Sequence, residues 1–123
     1  MSFVLRRGFL IMEASIFRKK FNGFTTPNTY CNFTPLSEKS GVYLLVNRLI
    51  DTHEYKLMYV VLYIGSAKNI KNRVRGHNLM RTLRNLHGDV VPYFKEYVDY
   101  IEQEKKLIKE FNPKYNKQYT NHA

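Results

Sequence analysis

Two short apolar runs separated by a polar stretch constrain the fold of this chain more than any other feature. Residues 42–46 read Val-Tyr-Leu-Leu-Val, and residues 58–64 read Met-Tyr-Val-Val-Leu-Tyr-Ile before Gly65. Both runs are continuous and rich in β-branched and aromatic residues, which is typical of strands. The polar residues 47–56 between them predict a hairpin with a long connection.

Side-chain alternation assigns the residues of these two strands to faces. Tyr59, Val61 and Tyr63 are expected to share one face of the second strand. Tyr43 and Leu45 are likewise expected to share one face of the first strand.

A helical segment is predicted directly after the second strand. Ser66 is a candidate N-cap for a helix that begins near Ala67. Within this helix, Ile70, Val74 and His77 recur at the spacing of one helical face.

A third strand and a last helix are predicted in the C-terminal half. Residues 90–98 follow a turn at 87–89 and predict a short strand. Asp99, three residues before Glu102, predicts a capping box at the start of a helix. The sequence Asn112-Pro113 ends this helix, because proline disfavours a helical conformation in the residue before it.

The last predicted helix carries a carboxylate on its apolar side. Its apolar stripe consists of Ile101, Leu107, Ile108 and Phe111. Glu104 lies three residues after Ile101 and four before Ile108, in register with this stripe. A carboxylate directed toward a core is unfavourable by several kcal/mol unless it is paired or bound to a metal ion. A salt bridge with Arg73, or a place at the edge of the stripe, would also satisfy it, so these interpretations stay open here.

The charge of the chain favours a polyanionic partner. Its 123 residues contain 20 Lys and Arg against 10 Asp and Glu, which gives a net charge of +10. In so small a protein this surplus indicates nucleic acid, with a merely basic protein as the alternative. Residues 66–86 contain no acidic residue. The residues expected there to contact phosphates, rather than form only a solvated face, are Lys68, Lys71, Arg75, Arg81 and Arg84.

Composition excludes several classes of protein. The single cysteine excludes an internal disulfide framework and a zinc site built on cysteine pairs. No apolar run approaches the roughly 20 residues of a membrane span, so we expect a soluble, intracellular protein of the cytoplasm or nucleoid. Residues 1–36 lack a sustained apolar period and are predicted to form an N-terminal arm or appendage, with a short helix near 13–21. Residues 37–119 are predicted to form the single domain.

Five motifs, in this order, resemble the GIY-YIG nuclease family. They are Gly41-Val42-Tyr43, Tyr63-Ile64-Gly65, Asn69 with Arg73 and His77, the run from Glu104 to Lys109, and the run from Phe111 to Asn116. The resemblance covers residues 41–116. It implies an α/β (α+β) fold with a small three-stranded antiparallel sheet flanked by helices, which agrees with the elements predicted above.

The same resemblance implies hydrolysis of DNA phosphodiester bonds with one divalent metal ion, Mg²⁺ or Mn²⁺. It implies a catalytic site formed by Tyr43, Tyr63, Arg73, His77, Glu104 and Asn116. Glu104 would bind the metal, because a hard cation prefers carboxylate oxygen. Tyr63, with Tyr43, would handle the proton of the attacking water, and Arg73 would neutralise charge on the phosphate.

The resemblance assigns the two remaining residues supporting roles. His77 would handle a second proton or orient the phosphate, and Asn116 would fix the geometry. Each residue also has a structural interpretation: half-buried strand tyrosines, a histidine on a helix surface and an asparagine at a turn. If those hold, the chain is a non-catalytic basic nucleic-acid-binding module.

The chain departs from the family pattern in ways that bear on specificity. Residues 47–56 are expected to form an inserted loop, and Ser66 stands where some relatives carry lysine. No separate DNA-binding domain is recognised after Asn116. We therefore expect cleavage with little sequence preference, recognition of branched or damaged DNA, or the help of a separate targeting protein.

Overall fold

A computed structural model describes residues 3–6, 9–27 and 35–118 of the chain. The strands are β1 (Phe3–Arg6), β2 (Phe9–Glu13), β3 (Gly41–Asp51), β4 (Lys56–Ala67) and β5 (Val90–Glu96). The helices are α1 (Ala14–Lys20), α2 (Ile70–Arg75), α3 (Asn78–His87), α4 (Tyr100–Phe111) and α5 (Lys114–Gln118). None of these helices is both long and apolar enough to cross a membrane.

All the strands pair antiparallel in one sheet, in the order β1-β2-β4-β3-β5. The predicted α+β class is confirmed, and all three predicted strands are present. The predicted number of strands is wrong, because the N-terminal hairpin β1–β2 adds two strands at the edge of β4. Proline is tolerated at Pro92 because β5 is an edge strand.

The polar residues 47–56 do not form a loop, so the prediction of an inserted loop is wrong. β3 and β4 remain paired through this region, as far as Asp51 opposite Lys56. A four-residue turn then closes the hairpin, and the Asp51 carboxylate accepts hydrogen bonds from the backbone N–H groups of His53 and Glu54. The end of the hairpin reaches into solvent, where Ile50 is 70% exposed. A strand with solvent on both faces needs no apolar pattern, and so the sequence here resembles a loop.

A β-bulge reverses the expected faces at the end of β4. Leu45 pairs with Tyr63, but the next residue of β3, Val46, pairs with Val61, so Leu62 is an extra residue. Tyr63 therefore packs in the same core cluster as Val60 and Leu62, and not with Val61 as predicted. The prediction failed because strict alternation holds only in a regular strand, and one inserted residue moves the following side chains to the opposite face.

The two faces of the sheet carry separate apolar cores. One face, which includes Tyr43 and Tyr63, is covered by α2, α3 and α5 through Ile70, Val74, Leu79, Met80, Leu83 and Tyr115. The opposite face is covered by α1 and α4 through Phe17, Leu107, Ile108 and Phe111. Helices on both faces hold the centre of the sheet rigidly between them.

The N-terminal segment is packed on the sheet where the structure describes it. Residues 11–13 pair with β4, and Met12 is completely buried. Phe17 of α1 is 2% exposed and contacts the rings of Tyr59 and Tyr93. The expectation of a peripheral arm is therefore wrong for residues 9–27, because isolated aromatic residues in this segment fill the core without a periodic pattern. The boundary at residue 37 stays a prediction.

The helix after β4 begins later than predicted and is interrupted. Ser66 still belongs to β4, and the N-cap of α2 is Asn69, whose side chain accepts a hydrogen bond from the N–H of Asn72 at 3.0 Å. Gly76 ends α2, and His77 is the N-cap residue of α3. The predicted single helix is wrong because it ignored the glycine within the basic segment.

Helix α4 begins and ends where it was predicted. Asp99 is its N-cap residue but makes no capping hydrogen bond, so the predicted capping box does not form. Instead, the Asp99 carboxylate accepts a hydrogen bond from the Gln103 amide at 2.9 Å. The helix ends at Asn112, which adopts a left-handed conformation with φ of 46° immediately before Pro113.

Candidate active site

A pair of buried tyrosines lies at the centre of the sheet. Tyr43 of β3 and Tyr63 of β4 are 0% and 2% exposed, and their ring centroids are 6.3 Å apart. Gly65 lies directly opposite Tyr43, and a Cβ atom at position 65 would overlap the Cζ and hydroxyl atoms of that ring. A Cβ at Gly41 would similarly overlap the backbone oxygen of Lys95. Gly65 thus makes room for the Tyr43 ring, and Gly41 allows the backbone of β5 to approach β3 closely.

Burial and neighbouring charges set the ionisation of both phenols. Burial raises the pKa of Tyr43 far above its usual range, and the neighbouring Tyr63 raises it further. The pKa of Tyr63 is raised by burial and then by the negative charge of Glu104. The positive charge of Arg73 lowers both pKa values, although by less. Both phenols are therefore neutral near pH 7 in the protein alone.

The His77 ring packs in a T-shaped arrangement against both tyrosine rings. Its ring centroid is 5.5 Å from that of Tyr43 and 5.4 Å from that of Tyr63. Burial, with the nearby charge of Arg73, lowers the pKa of His77 to about 4, so the imidazole is neutral at physiological pH. Its Nε2 atom and the hydroxyl of Tyr43 are buried, and neither makes a hydrogen bond of good geometry among the described residues, although Arg73 lies close enough to the Tyr43 hydroxyl to lower its pKa as a donor. Such groups are unfavourable unless a ligand or water satisfies them.

Arg73 lies on α2 beside these three residues. Its side chain is exposed, yet its charge affects the pKa values of Tyr43, Tyr63 and His77. A guanidinium that is open to solvent on one side and next to buried phenols on the other can bind an incoming phosphate.

Glu104 is the single buried residue of α4, with 7% of its surface exposed. Its carboxylate oxygen Oε1 accepts a hydrogen bond from the Ser66 hydroxyl at 2.7 Å. The inward position predicted for Glu104 is confirmed, but Ile101, assigned to the same stripe, is 50% exposed. The inward face of α4 is therefore shorter than predicted and begins at the carboxylate.

Asn116 binds the backbone of β4 between Tyr63 and Gly65. Its side-chain oxygen accepts a hydrogen bond from the N–H of Ile64 at 2.8 Å, and its side-chain nitrogen donates one to the Ile64 carbonyl at 2.7 Å. β2 pairs with β4 at residues 58–60. The Asn116 amide thus takes the place of a neighbouring strand at Ile64 and fixes the backbone that carries Tyr63.

The residues present fit a hard divalent cation bound by one carboxylate. In the part of the chain that the structure describes, no three His, Cys, Asp or Glu residues cluster as a multi-ligand metal site. Mg²⁺ often binds through one or two carboxylates and completes its coordination with water and substrate phosphate. Glu104 is a buried carboxylate of this type, and the unpaired polar atoms of Tyr43 and His77 lie nearby.

Tyr43, Tyr63 and His77 are thus in ring contact, and Arg73 and Glu104 act on the two tyrosines through their charges. Asn116 binds the backbone of the strand that carries Tyr63. The predicted phosphate-binding residues are more dispersed. Lys68 precedes α2, Lys71 and Arg75 lie on α2, and Arg81 and Arg84 lie on α3. All except Lys71, which is half-buried, are exposed. Arg84 also donates a hydrogen bond from Nε to the carbonyl of Val90 at 3.0 Å, so it has a structural contact as well.

Two residues of the site were missed by the sequence-based reasoning. Ser66 was considered a helix cap, and nothing in the sequence indicates its bond to a carboxylate 38 residues away. Gly65 was considered the end of a strand. Gly65 in fact lies within β4, which continues to Ala67. A glycine inside a strand indicates the close approach of another group, which here is the Tyr43 ring.

Comparison with known proteins supports the resemblance described above. The family profile described as the GIY-YIG catalytic domain matches residues 39–116, which include all six predicted catalytic residues. The chain is 35% identical over 91 residues to UvrABC system protein C of Mesoplasma florum. It is 34% identical over 89 residues to the protein of the same name from Fusobacterium nucleatum. Each match covers 66% of this chain but 13% of the relative. No solved structure matches the chain.

Proposed function

Because this chain belongs to the GIY-YIG catalytic-domain family, we propose that it is an endonuclease that hydrolyses DNA phosphodiester bonds with a divalent metal ion. The observation that carries the proposal is the convergence of the buried Glu104 carboxylate, the Arg73 guanidinium and two buried tyrosines on one site. Burial of a carboxylate whose charge raises the pKa of both tyrosines is unfavourable for the fold alone, and such an arrangement is typical of a functional site.

Glu104 would hold the metal ion, which is Mg²⁺ or Mn²⁺. When bound, the ion would supply Lewis-acid stabilisation of the negative charge that develops on the phosphate oxygens. The positive charge of the ion would also offset the negative charge of Glu104. That negative charge is one of the causes that raise the pKa of Tyr63.

Tyr63 is the proposed acceptor of the proton from the attacking water. A phenol accepts a proton only as a phenolate, so its raised pKa must first be offset by the charge of Arg73 and by neutralisation of Glu104. Tyr43 is more deeply buried, and we propose that its unpaired hydroxyl orients the same water.

Arg73 and His77 would act on the phosphate. The guanidinium of Arg73 presents a planar set of donors that suits two phosphate oxygens and would stabilise charge in the transition state. His77 is neutral above about pH 4, so its unpaired Nε2 can make one hydrogen bond to the phosphate or leaving group. Asn116 would keep Tyr63 in place through its two bonds to Ile64.

DNA as the substrate is supported by the net charge of +10 and by the exposed basic residues of α2 and α3. The match covers 13% of the length of each of the two relatives named above. Contacts from basic residues to phosphates carry no sequence information, so we propose that the choice of cleavage site depends on a separate targeting protein or on the shape of the DNA. We also propose that the protein acts inside the cell, in the cytoplasm or nucleoid.

Plasmid nicking by Glu104→Gln tests the proposed function. The wild-type protein should nick supercoiled plasmid with Mg²⁺ or Mn²⁺ and should bind DNA without cleavage in a chelator. Glu104→Gln keeps the side-chain volume but removes the charge. Because even supporting groups of a metal typically contribute about 10–100-fold, cleavage should fall by at least that factor. DNA binding in a chelator should be unchanged or tighter.

Glu102→Gln is the matched control, since Glu102 is exposed on the same helix and should tolerate the change. A Glu104→Gln protein that melts at a lower temperature but nicks plasmid at the wild-type rate would show that Glu104 is structural. A wild-type protein that binds DNA but never cleaves it would identify the chain as a non-catalytic binding module.

A further inference from the structure

The hydroxyl of Ser66 is a hydrogen-bond partner of the Glu104 carboxylate. Ser66 Oγ donates to Glu104 Oε1 at 2.7 Å, a length typical of a well-formed O–H···O hydrogen bond. Glu104 is 7% exposed, so little bulk water is available to replace this bond. We propose that Ser66 is a positioning residue that holds the Glu104 carboxylate in the orientation in which it binds the metal ion. This inference rests on the proposed function.

The two ends of this bond belong to different parts of the site. Ser66 lies on β4, three residues after Tyr63, and pairs with Val42 of β3. Glu104 lies on α4, whose contacts with the sheet are made on the face opposite the tyrosines. The bond therefore sets the carboxylate relative to the strand that carries the phenol, which backbone pairing alone does not do.

Serine suits this task because its side chain is short. It has one rotatable bond before the hydroxyl, and its backbone is fixed in a paired strand, so little entropy is lost when the bond forms. A glutamate side chain has three such bonds, so a fixed hydrogen bond at its carboxylate restricts the orientations that it can adopt. Since Mg²⁺ requires near-octahedral geometry, a carboxylate fixed in advance binds it more tightly.

Binding of Mn²⁺ to the full chain without DNA gives a readout that is independent of cleavage. Titration followed by electron paramagnetic resonance measures the Kd for the wild type, Ser66→Ala and Ser66→Thr. We expect Ser66→Ala to raise this Kd by about 10-fold, the lower end of the effect of removing a group that orients a metal ligand. Ser66→Thr keeps the hydroxyl and should restore the Kd to within about threefold of the wild type. The Mg²⁺ midpoint for plasmid nicking should shift in parallel.

Ser37→Ala is a matched control. Ser37 also donates a hydroxyl hydrogen bond to a carboxylate, that of Glu96, but at an exposed place outside the site. Its removal should leave both metal midpoints unchanged. A double variant, Ser66→Ala with Glu104→Gln, should bind Mn²⁺ no more weakly than Glu104→Gln alone, because the hydroxyl acts through the carboxylate.

Two results would overturn the inference. One is a Ser66→Ala protein with wild-type Mn²⁺ affinity and a wild-type Mg²⁺ midpoint. The other is a Ser66→Ala protein that melts at a lower temperature and nicks plasmid more slowly, with its Mn²⁺ affinity and Mg²⁺ midpoint unchanged. That result would show that the bond only stabilises the fold. Both differ from failure of the proposed function, in which the wild-type protein itself does not cleave with either ion.

Discussion

At the scale of single residues, the close approach of Tyr43 explains why position 65 is a glycine and carries no side chain. Tyr43 occupies the volume in which a side chain at position 65 would lie, and Gly65 faces it across the β3–β4 pair. A side chain at position 65 would displace the Tyr43 hydroxyl from its buried place, and that burial is the main cause of its raised pKa. The glycine is therefore part of the site although it carries no functional group.

Gly65→Ala should lower both stability and cleavage. The new methyl group would overlap the Tyr43 ring, and overpacking of this kind typically destabilises a protein by about 1–3 kcal/mol. Urea unfolding and plasmid nicking would measure the two effects. Gly76→Ala is the control, because its Cβ would meet one atom, the Asn72 oxygen, at an ordinary 3.5 Å. Equal stability of the two variants would contradict this account of Gly65.

At the scale of elements, the bulge in β4 determines which tyrosines meet. If residues 61–63 alternated regularly, Tyr63 would lie on the face with Val61, across the sheet from Tyr43 and His77. The bulge turns Tyr63 to the face covered by α2 and α3, where Arg73 and His77 lie. A local irregularity in one strand thus assembles the site.

The N-terminal helix α1 contributes a buried side chain to the core. Phe17 of α1 is 2% exposed and lies 4.6 Å from the Tyr59 ring centroid. Phe17→Ala should destabilise the protein by about 3–5 kcal/mol, as is typical for buried phenylalanine. Lys19→Ala, at an exposed position of the same helix, should change the free energy of unfolding by less than about 0.5 kcal/mol. Urea unfolding measures both, and a Phe17→Ala protein as stable as wild type would return α1 to the status of an appendage.

At the scale of the whole molecule, positive charge is concentrated along α2 and α3. Their segment has no acidic residue, while exposed carboxylates occur elsewhere, at Glu54, Asp89 and Glu102 for example. An acid-free surface of this kind would attract a polyanion to the face that carries Arg73, as the proposed function requires.

The salt dependence of DNA binding in a chelator tests this orientation. Each phosphate contact to duplex DNA contributes about 0.9 to the slope of log K against log salt. Replacing Arg75 and Arg81 with alanine should reduce the slope by up to about two contacts. Replacing Lys19 and Lys20 changes the net charge equally, but on α1, and should leave the slope nearly unchanged. An equal reduction in both double variants would mean that net charge, rather than this patch, drives binding.

Much of this protein follows from local sequence signals. The apolar runs predicted β3 and β4, the Asn112-Pro113 pair predicted the end of α4, and the register of Glu104 predicted its burial. These predictions hold because strand composition, proline geometry and helical periodicity act over a few neighbouring residues.

Only the tertiary structure decided how these parts meet. The bulge at Leu62, the packing of Phe17 and the Ser66–Glu104 bond each depend on a partner far away in the chain. No local pattern encodes such contacts. An irregular strand or a buried polar group is unfavourable in free energy by itself, and it is stabilised by atoms that come near only when the chain folds. The sequence therefore determined which residues could carry the chemistry, and the fold determined the geometry in which they do so.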